Sequence, residues 1–159
     1  MYRHYGSGVY QRVREVVSTA AGFLRRLGVV LVLTEVRVWR HGDEIAVSSN
    51  RHKTLNKFEI YRDKLLKEEP HLANDNTVLM TRQAFENAAG LAFTGMMCNN
   101  GLSSGLVRDD DRSSGIIGHV LAHELGHSLG MKHDEEEYED TDEVCRCPSG
   151  SCLMISSVP

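Results

Sequence analysis

The residues predict an α/β (α+β) fold: a twisted mixed sheet with long helices, followed by a small irregular carboxyl-terminal subdomain. Three observations carry that expectation. Apolar stripes at helical spacing alternate with short runs rich in β-branched residues, so helices and strands interleave along one chain. A last helical stripe carries closely spaced histidines and stops at Gly130. Beyond it the sequence is polar, holds three of the four cysteines and gives little regular signal up to Pro159.

The first helix is expected from Val9 to Leu27, where Val9, Val13, Val16, Val17, Ala20, Ala21, Leu24 and Leu27 line one face and Gly28 is the stop. Val29 to Arg40 (VVLVLTEVRVWR) is rich in β-branched residues and begins to alternate at Glu35 and Arg37, which predicts a central strand emerging at one end. His41 and Gly42 then turn the chain. A second helix is expected over Thr54 to Glu69, ended by Pro70, with Leu55, Phe58, Ile60, Tyr61 and Leu65 as its apolar positions. Short strands follow at Thr77 to Thr81, Gly90 to Gly95 and Ser104 to Arg108. Gly115 to Leu129 is the last helix and offers Ile116, Val120, Leu121, Leu125 and Leu129 for burial. No internal repeat or low-complexity linker interrupts the sequence, so one domain is expected over 1–159.

A chain of 159 residues buries roughly two-thirds of its unfolded surface, enough for a real core. Charged residues at 25% and apolar residues at 41% fit a globular protein and exclude the fibrous and disordered classes. The net charge of -4 is local: Asp134 to Glu143 (DEEEYEDTDE) holds eight carboxylates, leaving fourteen against eighteen basic residues elsewhere. No basic stripe clusters, which argues against a nucleic-acid partner. The acidic run reads as a solvated loop; calcium capture by its hard oxygens is the alternative, and no calcium site is assigned. No stretch approaches the roughly 18 apolar residues of a membrane span, and MYRHYGSG lacks the apolar segment of a signal peptide. Cys98 stands alone while Cys145, Cys147 and Cys152 crowd together without a zinc-ribbon CxxC, so disulfides and an oxidising compartment are the expectation.

The chemistry sits in HELGHSLGMKH, His123 to His133. Zinc prefers imidazole nitrogen, and a catalytic site supplies three protein ligands while leaving a fourth position open. His123 and His127 are four apart, so on a helix both rings project from one face and can close on a single ion. Gly130 can adopt the left-handed conformation that ends a helix and turns the chain, letting His133 return as third ligand from outside the helix. Glu124 sits beside the first ligand at an angle that takes its carboxylate to the water rather than to the ion. Its expected role is general base, then proton donor to the leaving amine. The pattern HExxH alone recurs in roughly one of a few hundred chains this long; Gly130 and His133 at their fixed offsets lower coincidence to about a few per million. His119 reads as a packed or supporting histidine, and His4, His41, His52 and His71 as surface residues.

With these residues in view, the chain resembles the adamalysin (reprolysin) branch of the metzincins, the catalytic domains of snake-venom metalloproteinases and membrane-anchored ADAM proteins. HELGHSLGMKHD is similar to their zinc signature, including Asp134 directly after the third histidine. Cys152 to Met154 resembles the segment around the family's Met-turn, which would place Met154 beneath the zinc ligands as an apolar floor. GLAFTGMMC, Gly90 to Cys98, is similar to the family's edge strand and the cysteine after it. The similarity runs along nearly the whole chain.

The resemblance implies an upper subdomain over 1–133 and a partial lower subdomain over 134–159 that carries the Met-turn. It implies a zinc endopeptidase that hydrolyses internal peptide bonds of extracellular or cell-surface proteins through a metal-activated water, with protein or peptide substrates. An extended peptide would add as one more strand beside Gly90, Leu91, Ala92, Phe93, Thr94 and Gly95. Cys147 would pair with Cys152, a short loop worth about 2 kcal/mol. The family's domain begins with a strand before the position of Met1 and continues past Pro159, so a domain trimmed at both ends is expected, with Cys98 and Cys145 as free or mispaired thiols, an extracellular or cell-surface location, and a membrane anchor as an option for the parent. A catalytically silent fragment or isoform that acts only as a binding module is the competing expectation.

Overall fold

The stripe that begins at Val9 winds into a helix whose buried face turns toward a second helix late in the chain, and a small sheet fills the space beside them. In the computed structural model, which describes residues 1–135 and 152–156, the order is α1 (Tyr2–Tyr5), a 3₁₀ turn (Gly6–Gly8), α2 (Val9–Arg25), α3 (Arg51–Glu68), a 3₁₀ turn (Pro70–Leu72), β1 (Thr77–Thr81), β2 (Gly90–Ala92), β3 (Ser104–Arg108) and α4 (Ser114–Ser128). The three strands form a mixed sheet in the order β1-β3-β2, with β1 parallel and β2 antiparallel to β3.

Side-chain alternation along β3 divides the core in two. Val107 joins Val16, Ala20 and Leu24 of α2 and Ile117, Val120, Leu121 and Leu125 of α4, while its neighbour Leu106 joins Leu55 and Phe58 of α3. β1 repeats the division, with Val78 and Met80 against the α2/α4 cluster and Leu79 in the α3 cluster. Helices thus cover both faces of the sheet. Each fully buried Leu, Val or Ile contributes about 1.5–3 kcal/mol.

Polar contacts fix the loops between these layers. Arg12 of α2 donates Nε and Nη2 to the two carboxylate oxygens of Asp109, at 2.9 and 2.8 Å, and a further bond to the Arg112 carbonyl. Asp109 is fully buried, so this pair fastens the entry to α4 onto α2. Arg62 of α3 is also buried and holds the Thr77 hydroxyl at the start of β1 and the Asn100 carbonyl. Burial lowers the Arg62 pKa and raises that of Glu59 one turn away.

Four sequence expectations need correction. Val29 to Arg40 joins no ladder among the described residues; Val29 and Leu31 pack on the α2/α4 cluster and Trp39 on the α3 cluster, whereas Val30 is 81% exposed. An alternating run satisfies one face by packing alone, and without a neighbouring strand it remains a connection outside the sheet. The strand expected over Gly90–Gly95 ends at Ala92, because Thr94 and Gly95 turn away toward α4. On α4 it is Ile117, not Ile116, that is fully buried, and Leu129 is exposed. The helix begins at the Ser113 cap, whose side chain accepts from the Ile116 N–H, and that phase sets which face turns inward. In the same way α3 starts at Arg51 rather than Thr54, since Asn50 caps it by accepting from the Lys53 N–H at 2.9 Å.

Candidate metal centre

α4 is buried on most of its circumference, and His123 and Glu124 lie inside it rather than on a wet face. The helix ends in a Schellman turn: the Gly130 N–H donates to the His127 carbonyl at 2.8 Å and the Met131 N–H to the Gly126 carbonyl at 3.0 Å. Gly130 has φ +100°, a conformation that L side chains rarely adopt. The turn carries His133 back beside the helix.

Three imidazoles converge there. His123 and His127 have ring centroids 4.6 Å apart, and His133 stands 5.3 and 4.7 Å from them. One ligand atom from each lies within 4.8 Å of the others. The outer nitrogens are already engaged: His123 Nδ1 donates to the Leu153 carbonyl and His127 Nδ1 to the Met131 carbonyl, both at 2.8 Å. A carbonyl only accepts, so these bonds fix the tautomer that leaves each Nε2 with its lone pair directed inward. His127 Nε2 and His133 Nε2 are 3.2 Å apart, close to the edge of about 3.3 Å that two nitrogens span on a tetrahedral ion with bonds of about 2.0–2.1 Å. The donor set and its spacing fit a zinc-type ion. Burial pushes His123 down to about 4, with the charges of His127 and His133 acting the same way, so this imidazole stays neutral and ligating.

Glu124 points to the sheet side of the same helix. A Cβ built on Gly90 would meet its Oε1 at 2.5 Å, so the carboxylate abuts the first residue of β2. Burial pushes the Glu124 carboxyl up to about 8, opposed by the positive charge of Arg51. β2 is an edge of the sheet, and the chain after it is latched to the end of α4 by the Gly95 N–H on the His127 carbonyl and the Met97 N–H on the Ser128 carbonyl. Gly95 thus belongs to this latch, Phe93 and Thr94 lead into it, and only Gly90, Leu91 and Ala92 form the strand. A cleft of about 720 Å³ runs between β2 and the histidines.

Below the helix, buried Met154 places its sulfur against Gly126, and its carbonyl accepts from the Asp134 N–H at 2.9 Å. Cys152 is disulfide-bonded; Cys147 and Cys145 lie outside the described residues, as does most of the acidic run after Glu135. Cys98 is a free, exposed thiol. His119 stacks on Phe23 at 5.2 Å and stays out of the triad, while His4, His41, His52 and His71 are exposed. Sequence reasoning missed the cations of the cleft wall, Arg51, Arg108, Arg112 and Lys132. They are scattered over eighty positions, and no local pattern brings them together.

Comparison with known proteins adds two findings. Residues 1–159 match the family model described as reprolysin (M12B) family zinc metalloprotease. The chain is also 34% identical over 160 residues to zinc metalloproteinase-disintegrin-like BmMP of Bungarus multicinctus, an alignment that covers 98% of this chain and 25% of that relative. The chain therefore spans about a quarter of the length of the curated relative it matches.

Proposed function

Because the chain belongs to the reprolysin (M12B) family of zinc metalloproteases, we propose that it is an endopeptidase that cleaves internal bonds of extracellular or cell-surface proteins. The observation that carries the reading is the convergence of three inward Nε2 atoms beside a buried carboxylate that faces an edge strand. His123, His127 and His133 would hold the zinc ion. When bound, zinc supplies a Lewis acid that makes water nucleophilic near neutral pH and polarises a carbonyl oxygen.

Glu124 takes the proton of the attacking water and returns it to the leaving amine. Its burial keeps bulk water away and makes it more basic than a solvated carboxylate. Gly90–Ala92 presents free backbone groups to an extended peptide, which adds as a strand and so lays its scissile carbonyl alongside α4. The Leu153 and Met131 carbonyls orient two of the rings, and Met154 supports them from below as the Met-turn. The disulfide of Cys152, expected to be with Cys147, holds that support in place and agrees with an oxidising, extracellular setting. No described helix is long and apolar enough to cross a membrane.

The test is digestion of a broad peptide library by the purified chain, with Glu124→Ala and a chelator as controls. Cleavage is expected to vanish in both, while Glu124→Ala retains one zinc by elemental analysis. Equal cleavage by the variant removes Glu124 from the role of base; absence of cleavage by the zinc-loaded chain supports a silent binding module instead.

A further inference from the structure

Among the described residues, cations outnumber carboxylates in the cleft beside the histidines. Arg51, Arg108, Arg112 and Lys132 line it, against Glu124 as the only carboxylate among its described lining residues. Two of the cations are committed to one neighbour: Arg112 Nε bonds Asp110 at 2.9 Å, and Arg108 lies 3.9 Å from the same carboxylate. The other two are not. The Arg51 guanidinium donates to the Glu86 carbonyl, a neutral acceptor, and neither Arg51 nor Lys132 forms an ion pair among the described residues. They reach the cleft from different elements, Arg51 from the first turn of α3 and Lys132 from the turn that carries His133. Both are half-buried, which weakens solvent screening of their charges.

We propose that this cleft selects acidic peptides, with Arg51 and Lys132 as specificity-determining residues that pair with Asp or Glu side chains near the bond to be cut. The inference rests on the peptidase reading of the site and adds its substrate class. Strand addition at β2 is blind to side chains, so selection falls to groups around it, and Arg51 and Lys132, the two lining cations without an ion pair among the described residues, supply an electrostatic filter. Wrong partners are rejected by the same charges: among the described lining residues a basic peptide meets four cations and, besides Glu124, no carboxylate to offset them.

The experiment uses fluorescent peptides of equal length whose central positions are flanked by Asp and Glu, by Asn and Gln, or by Lys and Arg. Binding to the zinc-loaded Glu124→Ala chain is read by anisotropy, and cleavage by the unmodified chain. The acidic set is expected to bind roughly ten-fold tighter than the basic set, from two pairs of the strength usual at partly exposed sites. The gap should shrink as salt rises from 0.05 to 0.5 M, where screening shortens to a few Å. Arg51→Glu and Lys132→Glu are expected to invert the preference, and Arg51→Gln and Lys132→Gln, which keep the shape, to level it should a reversal fail to fold. Equal affinity for all three sets, or a preference untouched by the Gln variants, overturns the proposal. Charge-selective binding without cleavage would leave it standing and defeat the hydrolase reading, whereas cleavage without charge selection would do the converse.

Discussion

The carboxylate of Glu124 and the Cα of Gly90 are so close that no side chain fits between them. A Cβ at position 90 would come within 2.5 Å of Glu124 Oε1 and 2.7 Å of the Leu106 carbonyl oxygen. The first contact is with a side chain that can move, the second with backbone that cannot. Gly90→Ala is therefore expected to destabilise the fold by about 1–3 kcal/mol and to push the carboxylate off its position. Urea midpoints measure the first effect. Loss of peptide cleavage with zinc still bound measures the second, and unchanged activity would disconnect β2 from the base.

Asp109 is buried with Arg12 as its bidentate partner. Removing the guanidinium strands a charge inside the protein, so Arg12→Ala should cost about 3–5 kcal/mol in chemical denaturation. Asp109→Asn in the Arg12→Ala background is expected to recover part of that loss. No recovery would show that the damage comes from packing of the Arg12 stem rather than from the orphaned charge.

Met154 fills the space under Gly126 with an unbranched, deformable side chain. Met154→Leu is nearly isosteric and should cost less than about 1.5 kcal/mol, whereas Met154→Ala opens a cavity and should cost about 2–5 kcal/mol. Thermal melts followed by circular dichroism separate the two. Zinc affinity should fall with Met154→Ala, since Leu153 beside it holds the His123 ring.

The Cys98 thiol has its pKa raised, first by partial desolvation of the sulfur and then by the carboxylate of Asp75. Only the thiolate reacts, so a higher pKa means less of it at neutral pH. Maleimide labelling of Cys98 is expected to be slow at pH 7 and to climb with pH later than for an ordinary cysteine. Asp75→Asn removes one of the two causes and should speed it; identical rates in both chains would rule that carboxylate out.

How much of this was readable beforehand follows from the range of each interaction. Both halves of the metal signature are local: His123 and His127 share one helix turn, and Gly130 sets the return of His133 through hydrogen bonds confined to residues 126–131. Such geometry is encoded by spacing alone. The edge position of β2 is not local, because it depends on which strand β3 accepts on its other side, and only the resemblance pointed to it. The same holds for the Arg12–Asp109 pair, whose members are 97 positions apart. Val29 to Arg40 misled for a related reason: composition favours a strand, but a ladder needs a neighbour that composition cannot name. Helix ends fell a few residues off wherever a cap, Asn50 or Ser113, decided the start.

That unladdered run has a practical side. Val30, Val32 and Leu33 offer apolar surface on a stretch of main chain that belongs to no described strand, and β1 pairs on one side only among the described residues. Concentrated solutions should thicken with polymers joined by intermolecular strand pairing, a ready template for amyloid. Lysine at positions 30 and 32 would act as a gatekeeper, and light scattering should then stay flat where the parent chain clouds.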